Sequence, residues 1–177
     1  RAFFGESNPQ LDAFERLQKT YTKIDNVQFS FEPNAGSDAS SVQILAAVEE
    51  LTELAWQIPY SLRVDSISNY QHTEVEDDDL IVEDLYSYAD ELGQSELDDI
   101  KNIVTTEPSI IGRLHDPDHK STAVTVTVQL PGENPTEVVE VVEAARNIKD
   151  EILKKHDVNI RLGGIAMFNN AFFEASE

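Results

Sequence analysis

Two stretches of this chain carry the same order of hydrophobic periodicities, and that repetition constrains the fold more than any other feature. In the first, Val27, Phe29 and Phe31 alternate with polar residues, the period-two signature of a strand. Leu45, Val48, Leu51, Ala55 and Ile58 then recur at helical spacing from about Ser41, until Pro59 removes the N–H that a helix would need. Ser61 to Tyr70 reads as a second strand. In the second stretch, Val124, Val126, Val128 and Leu130 alternate with Thr125, Thr127 and Gln129. Asn134-Pro135 offers a helix cap followed by proline at the first helical position. Val138, Val142, Ala145, Ile148 and Ile152 give a helical face to about His156, and Val158, Ile160 and Leu162 make a last strand.

Strand–helix–strand written twice predicts an α+β domain with the βαββαβ order of a ferredoxin-like fold. Its halves are residues 26–70 and 121–163. Right-handed crossovers place both helices on one face of an antiparallel sheet, leaving the other face covered or open as an interface. Residues 71–120 form an insertion in the central hairpin. Within it, 71–94 is expected to be irregular and acidic. Ser95 with Asp98 suggests a capping box for a short helix through Leu97, Ile100 and Val104, and Ser109 to His115 reads as a strand. A leading helix is expected within 1–25, starting at Asn8-Pro9, and a helical tail within 164–177 after Gly163-Gly164. The whole of 1–177 is one domain.

Charge narrows the function. The 34 acidic and 13 basic residues give a formal net charge of −21, which excludes nucleic acid as a partner because phosphate binding needs clustered Lys and Arg. High net charge serves solubility, or attracts cations and cationic substrates. The absence of cysteine removes disulfides and thiol chemistry. No stretch approaches the ~18 apolar residues of a membrane span. Crowded carboxylates from Glu74 to Asp79 suggest Ca²⁺ but lack the spacing of an EF-hand loop. His115, Asp116, Asp118 and His119 have ligand chemistry, yet Asp116-Pro117-Asp118 is ordinary turn chemistry. There is no nucleophile elbow, phosphate loop or dinucleotide fingerprint. The loop Glu32 to Asp38 also lacks the Arg that small ferredoxin-like acyl-phosphate hydrolases carry there. The expectation is a non-enzyme with no catalytic residue, cofactor or metal.

Four segments together resemble one family. They are Ile58 to Tyr70, containing Arg63-Val64-Asp65-Ser66 and Asn69-Tyr70; Asp77 to Leu85; Glu107-Pro108 with Arg113-Leu114; and Leu162 to Ser176, containing Asn169-Asn170. In order and spacing they are similar to exporters of the resistance-nodulation-division (RND) superfamily, of the MMPL-like hydrophobe/amphiphile efflux type. Phe4 to Pro9 looks like the segment that follows the first membrane helix of that family. Gly163, Ser68 and Leu62 depart from it, standing where Thr or a similar residue is frequent.

The resemblance implies the extracytoplasmic loop domain between the first and second transmembrane helices, facing the periplasm from a bacterial inner membrane. It implies a piece of a larger protein, which fits a chain that opens at Arg1 and has Met167 as its only methionine. Partners would be the remainder of the transporter (its membrane helices and second loop domain), with hydrophobic or amphipathic small molecules or lipid as substrate; homo-oligomers are compatible with it. This part would contribute substrate passage and conformational coupling, while proton-carrying acidic residues sit in the membrane helices. Arg63, Asp65, Asn69, Asn169 and Asn170 are motif positions without an assigned role. Arg63 and Asp65, two apart on a strand, share a face and can pair. The alternative is a free-standing acidic binding module, with Ca²⁺ as the candidate ligand.

Overall fold

A computed structural model describes residues 9, 10, 13, 24–76, 79–134 and 136–175. The expected leading helix lies mostly outside the described residues. Strand β1 (Ile24–Glu32) leads into helix α1 (Val42–Ala55) and strand β2 (Ser61–Asp65). The hairpin β3 (Gln71–Glu76) and β4 (Asp79–Asp84), a 3₁₀ turn at Ala89–Glu91 and helix α2 (Gln94–Thr106) follow. Strand β5 (Thr122–Gln129), helix α3 (Glu137–Lys155), strand β6 (Asn159–Gly163) and helix α4 (Ile165–Glu174) complete the chain. The architecture is α+β. A four-stranded sheet runs in the order β2-β5-β1-β6, every neighbouring pair antiparallel, beside the separate two-stranded hairpin.

The alternation in the strands decides which face is covered. Val27, Phe29 and Phe31 of β1 and Val124, Val126 and Val128 of β5 are fully buried. They join Leu45, Val48 and Leu51 of α1 and Val141, Ala145 and Ile152 of α3 in one core. The intervening residues Gln28, Ser30, Thr125 and Thr127 are only half-buried, so the opposite face of the sheet is polar. In β2 the register shifts between Ser61 and Arg63. An unbroken ladder from Ser61↔Val128 would turn Val64 outward, because a one-residue slip exchanges the faces of a strand. The bulge at Leu62 sets Val64 opposite Val126 in the core, and Arg63 and Asp65 opposite Thr127 and Thr125 on the polar face.

Several sequence expectations are corrected. Gln71–Glu76 and Asp79–Asp84 pair as a regular antiparallel ladder, from Gln71↔Asp84 to Glu76↔Asp79. The ladder is held by backbone pairing, and Leu80 and Val82 are exposed, so no buried alternation marks it in the sequence. Ser109 to His115 is a run of turns: Ile110, Arg113 and Leu114 N–H groups donate to carbonyls three or four residues back, and Gly112 sits at φ +68°. Only isolated bridges remain there, Ile111↔His115 and His115↔Thr122. Strand β2 stops at Asp65, short of the expected Tyr70. Helix α2 is capped at Gly93, whose N–H donates to the Glu96 carboxylate at 2.7 Å, two residues ahead of the expected Ser95/Asp98 box. At α3 the buried Glu137 carboxylate accepts the N–H groups of Gly132, Glu133 and Asn134. Burial pushes that carboxyl up, and the three donors outweigh it to hold the group below its usual range.

Candidate functional site

Segments far apart in the sequence meet where the 71–120 insertion leaves and rejoins the sheet. Arg63 Nε donates to Asp65 Oδ1 at 2.7 Å, and Arg113 reaches the other oxygen of Asp65 at 3.9 Å. Asp65 is largely covered, while both arginines are about 60% exposed at 64% and 62%. Two positive groups thus flank one shielded carboxylate on the polar face of the sheet. Arg113, Gln28 and Ser30 line a pocket of about 190 Å³ there, together with the turn around His115 and Asp116.

Asn69 ends β2. Its Oδ1 accepts the Ser66 N–H at 2.9 Å and its Nδ2 donates to Val64 O at 2.9 Å. A side chain that takes over backbone donors and acceptors offers the chain an alternative to the ladder, which is why the strand stops here. Ser66 Oγ lies 3.1 Å from Asn69 Oδ1 and 2.9 Å from Thr52 Oγ1, tying the turn to α1. Tyr70 continues the junction: its carbonyl accepts the Leu85 N–H, and its hydroxyl lies 3.2 Å from Ser109 Oγ, which donates to Glu107. Arg63, Asp65, Asn69, Tyr70, Leu85, Glu107 and Arg113, drawn from three of the family-like segments, therefore share one neighbourhood.

Asn169 and Asn170 lie elsewhere, in α4. Asn169 Nδ2 is 3.4 Å from Asp25 Oδ2, and the buried Asn170 donates to Glu174, which also pairs with Arg146 of α3. Gly164, at φ +102°, starts this helix. A Cβ there would stand 2.4 Å from Asn26 O, so only glycine admits this approach of α4 to β1. Beyond that seam Phe168 and Phe172 stack edge to face and are 62% and 63% exposed.

A third cluster fastens the insertion to the loop after β1. Ser40 Oγ lies 3.0 Å from His119 Nδ1 and 3.4 Å from His115 Nε2, and the two imidazoles are 2.9 Å apart. Ala39 N–H donates to His119 O, and Lys101 of α2 pairs with Asp38 at 2.9 Å. Burial, reinforced by His119 alongside, lowers the His115 pKa to about 4 against the opposing pull of Asp116 and Asp38, so the ring is neutral at pH 7. Asp38 stays below its usual range because Lys101 and the Ser40 N–H outweigh its partial burial. Ser40 has the spacing of a nucleophile from its base, but it is 1% exposed and, among the described residues, no carboxylate bonds to either imidazole. The arrangement works as a latch. Sequence reading joined His115 and His119 through their spacing but missed Ser40, because nothing local marks a partner 79 residues away.

For the candidate Ca²⁺ run, residues 77 and 78 and the side chains of 74–79 lie outside the described residues. Among the described residues no group of three or more His, Asp or Glu is arranged to hold a metal, and no helix is long and apolar enough to cross a membrane. Neither a family model nor a curated protein matches the chain.

Proposed function

We propose that this chain is the periplasmic loop domain of a proton-driven RND-type exporter, with a ferredoxin-like porter fold, contributing to the passage of hydrophobic or amphipathic molecules. The strand order β2-β5-β1-β6 supports the fold: it is the order two interleaved βαβ halves produce, with β1 and β5 at the centre. The observation that carries the functional reading is the convergence of family-like residues around Asp65, Asn69 and Tyr70. Residues that resemble a family motif and also build one junction are coupled by geometry as well as by likeness. The polar, half-open sheet face beside that junction suits contact with a neighbouring subdomain, and the exposed Phe168 and Phe172 suit an apolar environment next to α4.

The test is transport by the full-length protein encoded around this chain, reconstituted in vesicles with an imposed proton gradient. Gradient-dependent movement of an amphipathic dye, reduced in Asp65→Ala with expression unchanged, is the expected result. Dye movement indifferent to the gradient would reject the proposal.

A further inference from the structure

We propose that the groove between the β3–β4 hairpin and α2 binds organic cations that carry an apolar body. The groove measures about 740 Å³, the size of a small-molecule site. Its floor is apolar: Ile100 is buried, and Ile81, Leu85, Leu92 and Ile103 are half-buried beside it. Tyr86 also lines it, with its hydroxyl committed to Leu45 O at 3.1 Å. Four carboxylates complete the lining, Glu83 and Asp84 from β4 and Glu96 and Asp99 from α2. Asp84 accepts from Gln71 and Glu96 from the Gly93 N–H. The Glu83 and Asp99 carboxylates have no hydrogen-bond or ion-pair partner among the described residues.

Acidity is general in this chain, so the discriminating feature is what the groove lacks. Three smaller cavities each have a Lys or Arg in their lining: Arg113 in one, Lys120 in another, Lys149 and Arg161 in the third. Among the described residues the groove has none, and His72 is the one basic side chain in its lining. Carboxylates of one sign around a low-dielectric floor concentrate the field and draw in cations. An apolar floor gives a bare metal ion nothing, and among the described residues no three acidic groups converge as a metal requires. An amphipathic organic cation uses both features, with its charge among the carboxylates and its body on the isoleucines. As a substrate site the groove rests on the exporter reading; as a binding site it does not.

The experiment titrates this domain with octyltrimethylammonium by calorimetry. Tetramethylammonium supplies the charge alone and octyl glucoside the chain alone. Saturable one-to-one binding is expected only for the first. Glu83→Gln/Asp99→Asn should weaken it roughly five- to tenfold, the loss of two exposed charge contacts. Glu53→Gln/Asp150→Asn, with the same charge change outside the groove, should leave it unaltered. Methyl NMR shifts confined to Ile81, Ile100 and Ile103 in the unmodified protein locate the site without any variant. Absent saturation, equal binding of octyl glucoside, equal weakening in both double variants, or methyl shifts elsewhere would each overturn the proposal. A failed titration leaves the transport assay untouched, and failed transport leaves the titration untouched.

Discussion

At the scale of single residues, the side chains that matter most are those replacing backbone pairing. Asn69 satisfies both Val64 O and the Ser66 N–H at the end of β2. Asn69→Ala should cost about 1–3 kcal/mol, the penalty for leaving partly buried backbone groups unpaired, seen as a lower urea midpoint. His115 sets a pH dependence. Its folded pKa is depressed from 6.5 to about 4, so between those values the unfolded chain binds a proton that the native chain refuses. Stability therefore falls as pH drops through that window, by about 3 kcal/mol in full, and is unaffected by this residue above pH 7. Comparing urea midpoints at pH 7.5 and 4.5 in wild type and His115→Gln isolates the effect from the carboxylates: the variant should lose less on acidification. Arg63 and Asp65 were legible from their spacing of two on a strand. The meeting of Asp65 with Arg113, and of Ser40 with His119, depends on how the insertion folds back, which no local pattern encodes.

Among elements, those that bury one face declared themselves. Strands β1, β5 and β6 and helices α1 and α3 follow the apolar periodicity because each contributes to one core. The β3–β4 hairpin was missed because Gln71, His72, Thr73 and Glu74 present no apolar alternation. The 109–115 turns were misread because Ile110 and Leu114 mimic a strand while Pro108 and Gly112 bend the chain. The bulge in β2 makes a prediction at this scale. Deleting Leu62, itself 53% exposed, removes the extra residue and leaves Ser61, Arg63 and Val64 opposite Val128, Thr127 and Val126 in an unbroken ladder, so Val64 should stay in the core. The cost should stay well below that of a buried valine exposed to water, about 1.5–3 kcal/mol. A deletion variant that loses that much stability in urea would contradict the assigned register.

For the whole molecule, the net charge of −21 implies self-repulsion that folding must overcome. Salt screens it over about 10 Å at 0.1 M and about 3 Å at 1 M. The melting temperature should thus rise with sodium chloride between those concentrations, read by circular dichroism; a flat or falling curve would show that local ion pairs such as Lys101–Asp38 outweigh the global repulsion. The sheet itself divides labour, with one face closed by α1 and α3 and the other polar and overlooked by the insertion. That asymmetry is what the proposed role uses: a packed half that holds shape, and an open half free to meet the rest of a transporter.

The most direct measurement is of the reading frame on either side of this domain. Translation upstream of Arg1 and downstream of Glu177 should show about 20 consecutive apolar residues in each direction, close to the domain. A second loop domain bounded in the same way should follow. A secretion signal directly before Arg1 and a stop codon near Glu177 would contradict the exporter account and leave a free-standing acidic binding module in its place.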